Sequence, residues 1–199
     1  NFFKPSKEKV VFDIKECLGE VASIVSSQLS NNNITIEIHE YPDLLTVSGY
    51  PNEFKQVLVN LVNNAKDAIL DKQSEMIDEN NYEGRIDIMA CKEGGKVIIV
   101  VRDNGCGIPK EIEKRIFEPY FTTKEDGKGT GIGLYMSKVI IDNNMSGKLY
   151  YENVENVENV RNGAQFRIEL KEVSQVDFPL AHKGQDIPAR GIFKGSKPT

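Results

Sequence analysis

Three blocks between residues 103 and 134 constrain this chain more than any other stretch: Asp103-Asn104-Gly105-Cys106-Gly107-Ile108-Pro109, Phe117-Glu118-Pro119-Tyr120-Phe121-Thr122-Thr123-Lys124, and Gly127-Lys128-Gly129-Thr130-Gly131-Ile132-Gly133-Leu134. The apolar run Val97 to Val101 precedes the first block. With Arg85 to Cys91 and the turn Lys92-Glu93-Gly94-Gly95 it predicts a hairpin, the second strand buried on both faces. Asp103 then stands at a strand end, where Gly105 and Gly107 let the backbone turn tightly beside a flat ring. A carboxylate there accepts from an exocyclic amine. Adenine offers N6–H₂ where guanine offers an acceptor, so the acid points to ATP over GTP. Alone, the block reads better as a plain Asp-Asn-Gly turn, and its context reverses that.

The third block offers backbone N–H groups and a helix start to phosphate oxygens, with Thr130 as the expected N-cap. It contains no GxxxxGK[ST] loop, and Gly131-Ile132-Gly133 lacks the third glycine of a dinucleotide fingerprint. Lys124 and Lys128 flank it and can reach β- and γ-phosphates. Few apolar residues separate Phe121 from Gly129, so a segment mobile without ligand is expected there.

A helix from Asn52 to about Leu70 completes the candidate pocket. Phe54, Val57, Leu58, Leu61, Ala65, Ala68 and Ile69 form its apolar face, leaving Gln56, Asn60, Asn64 and Asp67 on another. Gln56, Asn60 and Asn64 follow one another at one-turn spacing and can aim three carboxamides into one cleft. Amide oxygens can ligate Mg²⁺ and amide N–H groups can donate to phosphates without repelling them. Helix propensity gives no reason to place Asn at 60, 63 and 64, although asparagines on a helix are commonly just solvated.

Elsewhere the periodicity predicts a strand at Val10 to Phe12, a helix from Ile14 to Leu29 capped by Asp13, and strands at Ile34 to Ile38 and Leu45 to Val47. A loop is expected over 71–83, a helix from Gly131 to Asn143, and strands at Lys148 to Tyr151 and Gln165 to Leu170. Glu-Asn-Val occurs three times over residues 152 to 160, a simple-sequence hairpin extension rather than a repeat fold. With 199 residues, 39% of them hydrophobic, one core suffices. The organisation expected is a linker at 1–9, a domain at 10–173, and a disordered tail at 174–199 where Gly, Pro and Lys accumulate.

A net charge of −5 argues against a broad nucleic-acid surface. Cys17, Cys91 and Cys106 lack the spacing of a zinc site and are odd in number, which fits a reducing cytosol. No apolar run reaches the roughly 18 residues of a membrane span, so no membrane contact is expected of this chain.

In order and spacing these blocks closely resemble the catalytic ATP-binding domain of sensor histidine kinases, within the superfamily of DNA gyrase B, Hsp90 and MutL. Gln56 to Ala68 resembles the N box, Asp103 to Pro109 the first glycine box, Phe117 to Lys124 the F box, Gly127 to Leu134 the second glycine box, and Asn162-Gly163-Ala164-Gln165-Phe166 the closing glycine element. The similarity covers roughly residues 10 to 172. It implies a Bergerat fold: an α+β two-layer α/β sandwich, its mixed sheet covered by helices on one face, with a mobile ATP lid between the F box and the second glycine box.

The resemblance also implies ATP and Mg²⁺ as cofactors, with Asn64 on the metal, Asn60 supporting the phosphates and Asp103 on adenine. Asn60 and Lys124 are the implied catalytic pair. The rest of the implied nucleotide set is Asp67, Gly105, Gly107, Ile108, Tyr120, Phe121, Thr123, Lys128, Gly129, Thr130, Gly131, Ile132, Gly133 and Leu134. Two departures sharpen this picture. ATPases of the superfamily place a water-activating Glu where this chain has Asn60, which is no base at neutral pH and so favours phosphotransfer. Some members carry a basic residue where this chain has Asp67, which leaves Lys124 as the better γ-phosphate contact.

The function implied is transfer of the ATP γ-phosphate to a histidine on a separate dimerisation and phosphoacceptor domain upstream, with a response regulator receiver domain next in the pathway. His39, in a strand-like stretch, and His182, in the tail, are not expected to be acceptors. The expected location is cytoplasmic, the parent protein possible as a membrane-anchored one. A nucleotide-dependent interaction module, and a serine kinase acting on an anti-sigma antagonist, are the alternatives from the same residues.

Overall fold

The computed structural model describes residues 8–39, 44–75, 82–124, 129–154 and 163–173. Gly127, Lys128, most of the Glu-Asn-Val repeat, most of the expected linker and the expected tail lie outside them. Strand β1 (Val10–Asp13) runs directly into α1 (Ile14–Ser30), where the Asp13 carboxylate accepts from the Lys15 N–H at 3.0 Å and closes the first turn. Ile14, Leu18, Val21, Val25 and Leu29 recur at helical spacing along α1 and are all buried. There follow β2 (Ile34–His39), β3 (Thr46–Gly49), α2 (Pro51–Glu75), β4 (Gly84–Glu93), β5 (Lys96–Asp103), α3 (Gly133–Lys138), β6 (Lys148–Val154) and β7 (Gly163–Lys171).

Five strands form one mixed sheet in the order β2-β4-β5-β7-β6, with β2 and β4 parallel and the other neighbours antiparallel. β1 and β3 make a separate antiparallel ribbon. One face of the sheet turns Ile86, Ile88, Ala90, Val97, Ile99, Val101, Phe166, Ile168 and Leu170 into a core shared with Leu18, Val21, Leu58, Leu61, Val62 and Ile141 of the helical segments. The architecture is therefore the expected α+β two-layer sandwich, its helices on one face.

Three local expectations need correction. Strand β5 is not covered on both faces. Val97, Ile99, Val101 and Asp103 are buried under the helices, but Val100 and Arg102 on the other face are only half-buried. Ile98 is buried there between its cross-strand neighbours Cys91 and Glu169. Helix α2 continues to Glu75 instead of giving way to a loop at 71, because Asp71-Lys72-Gln73-Ser74-Glu75 contains no Gly or Pro to stop it.

The third correction concerns the helix after the glycine loop. It starts at Gly133 rather than Gly131, the residue before it is Ile132, and no side chain caps it. The Thr130 hydroxyl accepts only a long 3.4 Å bond from the Ile132 N–H. The helix then widens into a π-helical stretch over Val139–Asn144. Among the described residues no helix is long and apolar enough to cross a membrane.

Candidate functional site

A cleft of about 510 Å³ opens between α2, the end of β5, the turns of residues 106–124 and the start of α3. That volume lies within the roughly 300–1,000 Å³ usual for small-molecule sites. Asp103, buried at the end of β5, lines it together with Asn60, Asn64, Asp67 and Lys124.

Burial governs the chemistry of Asp103. Its side chain is charged at the end of an apolar strand, and desolvation pushes its pKa up to about 6. The N–H groups of Gly105, at 2.8 Å, and Ala164, at 3.3 Å, both donate to Oδ1 and resist that rise, as do the charges of Lys72 and Arg102. Gly105 is required for a spatial reason: a Cβ there would lie 2.7 Å from the Ala68 carbonyl carbon. This close approach lets the Cys106 N–H donate to the Ala68 oxygen at 3.2 Å, seating the turn on α2.

Asn60 and Asn64 are half-buried on one side of α2. The Asn60 Nδ2 donates to the Ser137 hydroxyl at 3.0 Å, which in turn donates to the Gly133 carbonyl at 2.9 Å. The carboxamide is thereby tied to the first turn of α3. Lys124 forms an ion pair with Asp67, and the Lys66 ammonium lies 3.6 Å from the other Asp67 oxygen. Oxygen donors from two asparagines and an aspartate are hard ligands of the kind Mg²⁺ takes.

The wall of the cleft also includes Gly107, Ile108, Phe121, Thr123, Gly129, Thr130, Gly131, Gly133 and Leu134 from the sequence-derived set. Gly105, Tyr120 and Ile132 stand outside it. Gly105 is pressed against α2, Tyr120 is 77% exposed, and Ile132 is half-buried off the cleft wall. Gln56 is exposed and also off the wall, so two carboxamides rather than three share the cleft. Lys128 lies outside the described residues.

Sequence reasoning missed most of the apolar wall. Ile112, Ile116, Ala164 and Phe166 line the cleft with Ala68, Cys106, Pro109 and Thr122. The spacing of Ile112 and Ile116 after Pro109 was a usable signal, since that segment coils through bonds from the Ile112, Arg115 and Glu118 N–H groups to carbonyls three residues back. Phe117 is built into the scaffold, its ring 6.5 Å from those of Tyr151 and Phe166, with the Lys138 ammonium 5.0 Å from its centre.

His39 projects from β2 on the sheet face away from the helices, its Nε2 2.8 Å from Asp87 Oδ1. His182 lies outside the described residues. Glu37, His39 and Asp87 could together meet a cation, but the Arg85 guanidinium already bonds to both acids at 2.8 Å.

Residues 49–174 match the family described as histidine kinase-, DNA gyrase B-, and HSP90-like ATPase. The two-component sensor PprA of Pseudomonas aeruginosa is 35% identical over 150 residues, 75% of this chain and 16% of its own length. Sporulation kinase A of Bacillus subtilis is 34% identical over 142 residues, 70% of this chain and 21% of its own. This chain thus spans about a sixth to a fifth of those curated relatives. Among solved structures, the catalytic domain of histidine kinase ThkA superposes with a TM-score of 0.66 at 32% identity, covering 83% of this chain and 96% of that one. With its cleft, its sheet order and these relatives in agreement, the chain belongs to the histidine kinase-, DNA gyrase B- and HSP90-like ATPase family, as an ATP-binding domain of the sensor histidine kinase kind.

Proposed function

We propose that this chain is the kinase half of a histidine autokinase: it binds Mg·ATP and presents the γ-phosphate to a histidine on a separate phosphoacceptor domain. The observation that carries this reading is a single cleft that brings a buried carboxyl together with two neutral carboxamides and a lysine. Asp103 accepts from the adenine amine. Ile108, Ile112, Leu134 and Phe166 supply apolar surface beside the base. Asn60 and the N–H groups of residues 129–133 hold phosphate oxygens, Lys124 holds the γ-phosphate, and Asn64 is the residue that holds Mg²⁺. The metal supplies charge neutralisation at the phosphates.

Hydrolysis is disfavoured in this site. The carboxylates among the described lining residues are Asp103, at the base end, and Asp67, which Lys124 and Lys66 engage. Asn60 cannot take a proton from water at neutral pH. Catalysis then rests on positioning and charge neutralisation, with the acceptor histidine as nucleophile. The partners proposed are dimerisation helices of the parent protein and a response regulator receiver domain, in a cytoplasmic setting. A histidine kinase ThkA at 30% identity to this chain has been solved in complex with response regulator protein TrrA.

Calorimetry and labelling test the proposal together. The chain should bind ATP in a Mg²⁺-dependent way and more tightly than GTP, turn ATP over very slowly, and leave itself unlabelled. Adding the parent's helical domain should place an acid-labile, base-stable phosphate on those helices. Equal affinity for ATP and GTP would overturn the adenine assignment, and such a phosphate on this chain alone would overturn the acceptor assignment.

A further inference from the structure

The last turns of α2, beyond Leu70, carry Lys72, whose Nζ donates to two successive backbone carbonyls, Asn104 at 2.9 Å and Gly105 at 3.0 Å. A trans peptide is planar, with its C=O and N–H pointing in opposite directions. Drawing the Asn104 oxygen onto Lys72 therefore turns the Gly105 N–H the other way, toward Asp103 Oδ1 at 2.8 Å. Drawing the Gly105 oxygen onto the same ammonium turns the Cys106 N–H onto the Ala68 oxygen at 3.2 Å. One cation sets the two peptide planes that flank Gly105.

Tyr82 braces this arrangement. Its ring lies 5.5 Å from the Lys72 ammonium, and its hydroxyl is 2.8 Å from the Asn104 carbonyl and 3.1 Å from Asn104 Oδ1. Asn104 is tied from the other side by its Nδ2 bond to the Glu83 carbonyl and by the Arg85 N–H, both at 2.8 Å. The turn is thus held from α2 and from the approach to β4 at once, and nothing in that bracket reaches into the cleft.

We propose that Lys72 is a positioning residue for nucleotide recognition, fixing the two peptide planes that flank Gly105 so that the carboxyl group is held by Oδ1 and presented to the amine of the bound base. The proposal rests on the ATP reading above. Its electrostatic consequence is separate from its steric one. Lys72 is the leading charge that opposes the rise of the Asp103 pKa to about 6, followed by Arg102 of β5. Among the described residues, the other ionisable groups at the turn include Tyr82, whose hydroxyl meets Asn104, and Cys106, on whose thiol Asp71 and Glu75 of α2 act. β7 contributes the uncharged Ala164 N–H. Removing the Lys72 charge should therefore move the Asp103 titration upward as well as loosen the turn.

Two readouts on the whole chain separate this from a general loss of packing. The Asp103 carboxyl resonance of the ligand-free protein, followed by carbon NMR across pH 4 to 8, should titrate at a midpoint higher by about half a pH unit or more in Lys72→Met and Lys72→Gln than in the parent chain. Lys72→Arg should stay near the parent value. ATP affinity at pH 7 should fall about tenfold in Lys72→Met, and the pH at which binding weakens should rise with the Asp103 midpoint. Lys72→Gln keeps a donor for one carbonyl and guards against a fold lost in the Met variant.

An unchanged Asp103 midpoint in both uncharged variants would overturn the proposal, as would an affinity loss of the same factor at every pH. If the parent chain binds no ATP, the functional reading fails instead, and the ligand-free titration still decides the role of Lys72.

Discussion

Lys124, the last residue of the aromatic block, places its ammonium on the carboxylate of Asp67 on α2, 57 positions earlier in the chain. The contact joins two segments that line the cleft. It also engages the one described F-box cation proposed to meet the γ-phosphate. Asp67 and that phosphate are then competitors for the same charge.

Lys124→Ala should narrow the preference for ATP over ADP, because only ATP carries the phosphate that Lys124 is proposed to hold. Asp67→Asn should do the reverse and tighten ATP by about twofold to fivefold, the worth of a half-exposed ion pair. Calorimetry with both nucleotides checks this. Weaker ATP binding by Asp67→Asn would show that the acid assists the phosphates.

Asp103→Asn should have effects of opposite sign on binding and on stability. Burial holds the folded pKa at about 6, above the ordinary 3.8, so the folded chain keeps that proton more tightly than the unfolded chain. The contribution to stability is present in full below about pH 4 and is lost as pH rises through about 6. At pH 7 the substitution should therefore stabilise the ligand-free chain by about 1–3 kcal/mol, since Asn keeps an oxygen for the Gly105 and Ala164 N–H groups. It should also weaken ATP by about 1–3 kcal/mol. Thermal melts with and without ATP check both signs, and a lower ligand-free midpoint would contradict the assignment.

Gly105→Ala should detach the turn after Asp103 from α2. The new methyl would lie 2.8 Å from the Ala68 oxygen and 2.9 Å from the Ala68 Cβ, and backbone cannot yield as a side-chain tip can. We expect a stability loss of about 1–3 kcal/mol and weaker ATP binding. Exchange of the Cys106 amide, which donates to Ala68, should quicken in the same variant.

The one-sided sheet can be tested along β5. Ile99→Ala, at a fully buried position facing the helices, should cost about 2–5 kcal/mol. Val100→Ala, half-buried on the open face, should cost about 1 kcal/mol or less. Urea unfolding measures both, and equal losses would mean that the open face is covered in solution.

What the chain reveals by itself is what repeats over short distances. The 3.6-residue stripes of α1 and α2, the alternation in β2 and the turn at Gly94-Gly95 are each written within a few positions, because helix and strand geometry dictate which neighbours share a face. The same local logic put Asp103 at a strand end and Asn60 and Asn64 on one helical face. Tertiary structure decided what depends on segments far apart meeting. It pairs β2 with β4 in parallel across α2, brings Ala164 and Phe166 of β7 to the cleft wall, sets Asp67 against Lys124, and extends α2 so that Lys72 reaches the turn after Asp103. No spacing within any one segment encodes those contacts, since each is fixed by how the whole core packs and by which buried polar groups then need partners.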